Sequence, residues 1–139
     1  MNITTIPGFA ELTPQQAFDL SLAHLRTTRK QNMNNGRCAY SGAGCAAAPF
    51  LSADSREAMN GCDSDGNSWG VLVHDNDLSH ANRDLIYDLQ VIHDSWGPTY
   101  QKQYDNDFMV YIERSFEDLA ERRNLTYKPE ATQPGESAM

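Results

Sequence analysis

The run at residues 35–46, Asn-Gly-Arg-Cys-Ala-Tyr-Ser-Gly-Ala-Gly-Cys-Ala, constrains the fold of this chain most. It holds two of the three cysteines and three of the nine glycines. Residues 37–40 and 45–48 are each long enough for a short strand, and the Ser-Gly-Ala-Gly between them is a turn signal. Because tight hairpin turns need positive φ angles, which glycine adopts freely, we predict a β-hairpin here. A lone hairpin is marginally stable, so its apolar face must pack on other elements.

A first helix is predicted directly before this run. Thr13 is a candidate N-cap and Pro14 suits the first helical position. Phe18, Leu22 and Leu25 then follow at intervals that place them on one helical face. This face supplies an apolar surface against which the hairpin can pack.

Two further helices are predicted in the second half of the chain. One carries apolar residues at helical spacing over 85–96 and stops at the Gly-Pro pair that follows. The next begins near residue 99, and the Asx residues at 105–107 would distort or restart it, because their side chains compete for backbone groups. The middle of the chain, 60–77, is rich in loop-forming residues, with one short strand predicted at 71–73.

The predicted fold class is therefore α+β but mainly helical, with three principal helices packed against a small β-hairpin and a loop-rich middle. At 139 residues the chain is long enough to bury the core of one domain. Residues 1–12 are predicted to form an extended leader and residues 13–125 a single globular domain. Residues 126–139 are predicted to form a flexible tail, because they contain prolines and almost no apolar side chains.

Composition narrows the classes of function. The net charge is −8 and the pI is about 4.8, which argues against direct nucleic-acid binding, because that binding relies on Lys and Arg displacing counterions from phosphates. No apolar run approaches the roughly 18 residues of a membrane span, and no signal-peptide pattern opens the chain. We therefore predict a cytoplasmic protein without membrane association. The sequence specifies no oligomeric state.

Cysteine and histidine are the residue types to test for a metal site. Cys38, Cys45, Cys62 and His74 have the chemistry of zinc ligands, but structural zinc sites use close pairs such as C-x₂₋₄-C and no such pair occurs here. Residues 63–67 resemble the start of a calcium loop, but the glycine and glutamate that such a loop needs later are missing. We therefore predict no metal and no cofactor, with two small cysteines buried opposite each other.

His93 and Asp94 form the most enzyme-like pair in the chain. A histidine beside a carboxylate can act as an oriented base. However, neighbours at i and i+1 on a helix do not face each other. We therefore predict no catalytic residue and a non-enzymatic protein, in which His93 makes a buried or half-buried polar contact.

Several short motifs resemble a group of small uncharacterised proteins of bacteriophages and prophages. The motifs are Ala17-Phe18-Asp19, His24-Leu25, Asn35-Gly36-Arg37-Cys38-Ala39-Tyr40, Cys45-Ala46 and Leu89-Gln90-Val91-Ile92-His93-Asp94. The resemblance covers roughly residues 14–124 and implies a viral accessory protein that acts on a host enzyme or a host defence component, in the host cytoplasm. The chain departs from this group at 45–51, where Cys-Ala-Ala-Ala-Pro-Phe-Leu replaces a Val-Gly and Leu-Ile-Pro continuation, so a ligand site shared at the hairpin is in doubt.

Two functions follow as hypotheses. The leading one is a small acidic protein that binds and modulates a host protein, as a host-takeover or anti-defence inhibitor, through charge complementarity. The carboxylates predicted to contact this partner lie on the last two helices: Asp84, Asp88, Asp105, Asp107, Glu113, Glu117 and Asp118. The alternative is a small-ligand protein that binds a nucleotide through Arg37, Tyr40 and the basic residues of the first helix.

Overall fold

The computed structural model describes residues 3–34 and 37–130. These residues form six α-helices: α1 (Pro14–Thr28), α2 (Ala53–Met59), α3 (Trp69–Asn76), α4 (Arg83–Asp94), α5 (Pro98–Gln103) and α6 (Phe108–Arg122). They also form three short 3-10 turns: Phe9–Glu11, Ala48–Phe50 and Asp63–Gly66. Two strands of two residues each, β1 (Met33–Asn34) and β2 (Arg37–Cys38), pair antiparallel.

Helix α1 forms as the sequence predicts. The Thr13 side chain accepts a hydrogen bond from the Gln16 N–H, and the Gln16 side chain accepts one from the Thr13 N–H, which completes a capping box. Phe18, Leu22 and Leu25 are buried along its inner face. The helix ends at Arg29, whose backbone is left-handed, with φ 58°.

The predicted hairpin between 37–40 and 45–48 is wrong, and with it the α+β fold class: the protein is helical. The observed β1–β2 pairing lies earlier in the chain and is too short to form a sheet layer. Residues 45–48 instead run into the 3-10 turn Ala48–Phe50 and are fully buried. The physical reason is their small size, because Cys-Ala-Ala-Ala lets the backbone approach α1 closely. The Ser21 hydroxyl of α1 donates to the Ala46 carbonyl at 2.7 Å, in place of a strand partner.

The loop-rich middle is also more helical than predicted. The strand predicted at 71–73 is wrong, because these residues lie inside α3, whose N-cap Ser68 accepts a hydrogen bond from the Val71 N–H. The apolar run of Val71, Leu72 and Val73 fits a strand and a helix equally well, and the cap decides between them. Helix α3 then ends at Asp77, which has a left-handed backbone with φ 53°.

The third predicted helix is divided in two, as its Asx residues indicated. Asp105 and Asn106 adopt positive φ angles of 52° and 60°, which no helix continues through. Asp107 then caps α6 by accepting a hydrogen bond from the Val110 N–H at 3.1 Å. The result is the short α5, followed by the long, strongly amphipathic α6.

A single hydrophobic core lies between α1, α4 and α6 and extends to α3. The rings of Phe18 and Phe116 lie 5.4 Å apart where α1 meets α6. At the other end Trp69 packs on Phe9 and Phe50, at 5.6 and 6.0 Å between ring centroids. In the described part of the chain, no helix combines the length and the apolar composition that crossing a bilayer requires.

Both predicted peripheral segments touch this core. In the leader, Ile3 and Phe9 are buried, and Thr5 forms an antiparallel bridge with Leu51. In the predicted tail, the Thr126 N–H donates to the Gln15 side chain at 2.7 Å. Residues 131–139 of that tail lie outside the described residues.

Candidate functional site

Tyr40, predicted to contact a ligand, lies in a buried polar cluster. Its side chain is fully buried, and its hydroxyl donates to the Asn67 carbonyl at 2.7 Å. The Gln90 side-chain NH₂ donates to the same hydroxyl at 2.6 Å, and the Gln90 side-chain oxygen accepts from the backbone N–H of Trp69 at 2.8 Å. Burial raises the pKa of Tyr40 well above its ordinary value. Tyr40 therefore has no surface to offer to a ligand, and the prediction of direct contact is corrected to a structural role.

A second buried group, Asp65, holds the chain that follows Tyr40. Its carboxylate accepts hydrogen bonds from the backbone N–H groups of Tyr40 and Ser41 at 2.9 and 3.0 Å. The Ser41 hydroxyl donates to its other oxygen. Asp65 belongs to the stretch that resembles a calcium loop, yet its side chain points into the protein and is 1% exposed. The carboxylate thus accepts hydrogen bonds from backbone N–H groups that have no partner in a helix or a strand.

Two of the basic residues proposed for a nucleotide, Arg26 and Arg29, form ion pairs within the described residues. The side chain of Arg37 lies outside the part of the chain that the structure describes. Arg26 is paired with Glu113 through a bidentate contact at 2.7 and 2.6 Å, and Arg29 is paired with Glu130 at 2.9 Å. These cations are already neutralised within the protein.

The cysteines likewise serve packing. Cys38 and Cys45 are free and buried, and the neighbouring Cys45 thiol together with burial raises the pKa of Cys38 far above its ordinary value. The Cys62 thiol donates to the Ala58 carbonyl at 3.3 Å. His74, the fourth candidate zinc ligand, is exposed on α3. Across residues 3–34 and 37–130, no three metal-binding side chains come together.

His93 and Asp94 do contact each other, against the expectation from their spacing. The His93 Nδ1 and the Asp94 carboxylate lie 2.7 Å apart, and the His93 Nε2 accepts from the Asn32 N–H at 3.0 Å. Because Nε2 is an acceptor, Nδ1 carries the proton and donates to Asp94. Both ring nitrogens are used and the ring is fully buried, so the pair anchors the chain after α1 and presents no free base to a substrate.

The seven carboxylates predicted to bind a partner fall on two surfaces. Asp84 and Asp88 lie on the outer side of α4. The Asp84 side chain is 87% exposed. Asp88 accepts a hydrogen bond from the Arg123 guanidinium at 2.6 Å, which ties α4 to the end of α6.

The other five carboxylates lie on α6 or just before it. Asp107 is the α6 cap, and Glu113 is largely enclosed by its contacts with Arg26. Four of the five are exposed: Asp105, Asp107, Glu117 and Asp118. The seven carboxylates are therefore divided between α4 and the α6 region, and three of them have structural partners: Asp88, Asp107 and Glu113.

Two residues on the outer side of α4 were not among the predicted contact residues. Tyr87 is 53% exposed and Val91 is 43% exposed. With Asp84 and Asp88 they occupy positions i, i+3, i+4 and i+7, so the four side chains share one face of the helix. We call these four residues the α4 outer face. The signal was present in the sequence, because Tyr87 and Val91 are apolar residues outside the buried stripe.

Comparisons of the chain with known protein families, with curated proteins and with solved structures found no match. The case for a function therefore rests on the residues of this chain.

Proposed function

We propose that this protein is a non-enzymatic binding protein that docks on a basic surface of another protein through the α4 outer face. The observation that carries the proposal is the exposure of Tyr87 and Val91, one helical turn apart, on the helix face that they share with Asp84 and Asp88. Large apolar side chains that remain half exposed are typical of interface anchors, and tyrosine is enriched among binding hot spots. Tyrosine also loses little conformational entropy on contact, because it has two side-chain torsions.

Charge supports the choice of a basic partner. The chain carries a net charge of −8, and Asp84 projects from the face with its side chain 87% exposed. A positively charged surface would be steered toward such a face, since complementary potentials raise the association rate. Asp88 contributes less free charge, because Arg123 neutralises it at 2.6 Å. Tyr87 and Val91 would supply most of the affinity and Asp84 most of the steering.

We further propose that the partner is a bacterial protein and that the complex forms in the host cytoplasm, where this chain acts as an accessory inhibitor. What supports this part is the resemblance of two motifs, Gly36-Arg37-Cys38-Ala39-Tyr40 and Leu89-Gln90-Val91-Ile92-His93-Asp94, to those of phage and prophage proteins. The second motif lies in α4, so the helix that carries the resemblance also carries the proposed contact face.

The test is capture from a bacterial lysate with matched variants. The tagged full chain is compared with Tyr87→Ser/Val91→Ser and with Val71→Ser, a valine on α3 that is 42% exposed. We expect the unmodified chain and Val71→Ser to retain the same basic protein, and the double variant to lose it by about tenfold or more, as for hot-spot removal. Retention by the double variant, or loss with Val71→Ser alone, would contradict the proposal.

A further inference from the structure

Residues 125–130, which we call the strap, leave the end of α6 and run back across α1 and α6. Leu125 and Tyr127 pack against the core, and the Leu125 N–H donates to the Ala120 carbonyl at 2.8 Å. Asn124, with φ 57°, makes the reversal that sends the chain back. The strap is thus a short non-helical segment seated in a groove between two helices.

Two side chains of the groove recognise the strap by its backbone. The Gln15 amide donates to the Thr126 carbonyl at 2.9 Å and accepts from the Thr126 N–H at 2.7 Å. This reciprocal pair imitates the contact between two β-strands. Two residues later, Arg26 donates to the Lys128 carbonyl at 2.8 Å. Since these contacts use main-chain atoms, any peptide with the same backbone path could make them.

Two further contacts recognise side chains of the strap. The Tyr127 hydroxyl donates to Glu113, and the Arg26 guanidinium lies 5.9 Å from the centroid of the Tyr127 ring. Arg29 pairs with Glu130 at 2.9 Å. The groove therefore selects a tyrosine and, three residues later, a carboxylate.

The strap does not fill the groove. Beside the described residues of the strap, an open surface depression of about 400 Å³ is lined by Met109, Val110, Arg114, Glu117 and Tyr127. This volume has the size of a small binding pocket. A peptide with a bulky residue next to its tyrosine would bury surface here that the strap leaves open.

We propose that the strap is an internal occupant of a peptide-binding groove, and that the groove binds a segment of a partner protein that carries tyrosine followed three residues later by a carboxylate. The partner segment displaces the strap by making the same backbone contacts and by filling the adjacent depression. Because a tethered occupant competes at millimolar effective concentration, the unmodified chain binds such segments weakly. This site is separate from the α4 outer face, and either can fail without the other.

The test uses a fluorescein-labelled peptide, Leu-Thr-Tyr-Lys-Pro-Glu, and the full chain. In the variant Tyr127→Ala/Glu130→Ala the strap loses the contacts of these two side chains and keeps the packing of Leu125, while the groove keeps Gln15, Arg26 and Glu113. We expect this variant to bind the peptide at least about tenfold tighter than the unmodified chain, because the internal competitor is weakened. Adding Gln15→Ala should reverse the gain, since it removes the reciprocal backbone contact. The same peptide with alanine in place of tyrosine should bind neither protein.

Equal binding to the two proteins, or binding that ignores Gln15→Ala, would overturn the proposal. Circular dichroism establishes that each variant retains its helices. If the double alanine variant fails to fold, Tyr127→Phe/Glu130→Gln keeps the packing and should still show a gain of about threefold, in line with loss of one weak ion pair and one hydrogen bond. A reversible dimer of the unmodified chain that Gln15→Ala abolishes would assign the groove to a second copy's strap and overturn the choice of partner.

Discussion

The cluster around Tyr40 and the α4 outer face are opposite in chemistry and in burial. The first contains phenol, thiol, amide and carboxylate groups, all buried and hydrogen-bonded to one another or to the backbone. The second contains a tyrosine ring and a valine that remain half exposed beside two aspartates. Buried polar groups that are hydrogen-bonded to one another specify the fold, whereas an exposed apolar pair on a charged helix is available to another molecule.

The largest loss of stability is expected on replacement of Asp65, whose carboxylate accepts hydrogen bonds from the backbone of the Tyr40 cluster. Asp65→Ala leaves two buried backbone N–H groups and one hydroxyl without their acceptor, so the free energy of unfolding should fall by about 3 kcal/mol or more. Asp63→Ala is the matched control in the same 3-10 turn, because Asp63 is exposed and should change stability by less than about 0.5 kcal/mol. Urea denaturation measures both variants. If both variants lose the same free energy of unfolding, the buried contacts of Asp65 do not stabilise the fold more than an exposed carboxylate does.

A somewhat smaller loss of stability is expected from a substitution at Gly44, where the chain passes α2. Gly44 has φ 87°, and a Cβ atom there would lie 2.6 Å from the Ala48 Cβ, so Gly44→Ala combines backbone strain with a clash. Gly42 has φ 63° but open space around it, so Gly42→Ala adds strain alone. We expect losses of about 2–3 and about 1 kcal/mol in thermal or urea unfolding. A Gly42 variant as damaging as the Gly44 variant would contradict the close approach.

The stability of the folded strap should decrease at both low and high pH. Burial alone would raise the pKa of Glu113, but hydrogen bonds from Arg26 and Tyr127 outweigh it and hold the pKa below 4.5. This group therefore stabilises the folded strap above about pH 4.5, and the contribution is lost as pH falls through the lowered pKa. Burial and the contact with Glu113 raise the pKa of Tyr127 to about 12, so its contribution is complete below about pH 10 and is lost as pH rises to about 12.

The Thr126 amide signal in NMR spectra reports this strap equilibrium locally. It should keep its folded position between those limits and shift toward the unfolded position outside them. Glu113→Gln is the control, because it should remove most of the acid-side response while leaving Gln15 to hold Thr126. An acid response that persists in Glu113→Gln would locate the titrating group elsewhere.

The smallest effect on stability is expected at the α4 outer face. Tyr87→Ser and Val91→Ser should each change the free energy of unfolding by about 0.5 kcal/mol or less, since both side chains are half exposed and serine has a similar helix propensity. Leu89→Ala, on the buried side of the same helix, should cost about 3 kcal/mol. Large losses at Tyr87 or Val91 would mean that these side chains support the fold and are not reserved for a partner.

Local signals allowed part of the fold to be predicted. The capping box at Thr13 and the apolar stripes of α1, α4 and α6 depend on neighbouring residues, so the sequence contains them. The hairpin prediction failed because the Gly42 and Gly44 backbone angles serve a loop around Arg56, whose guanidinium donates to the Tyr40 and Gly42 carbonyls at 2.8 and 2.9 Å. That contact joins residues that are not neighbours in the sequence, so no local sequence pattern predicts it.

The candidate site was less accessible to sequence analysis for a similar reason. The sequence identified Asp84 and Asp88 as exposed carboxylates. It did not identify which apolar residues of α4 are buried in the core and which remain exposed. Only the neighbours of each residue decide this, and those neighbours belong to α1, α3 and α6. Tyr40 shows the converse, because a residue that resembles a ligand contact in sequence is enclosed by Asn67, Gln90 and Trp69.

Site-specific photo-crosslinking tests most directly whether the α4 outer face contacts a partner. A benzophenone amino acid replaces Tyr87 in one full-length variant and Glu57, an exposed residue of α2, in another. After irradiation in a bacterial cytoplasm, we expect the Tyr87 position to yield one dominant adduct with a basic protein and the Glu57 position to yield none. Adducts of equal yield from both positions, or an adduct from Glu57 alone, would contradict the account.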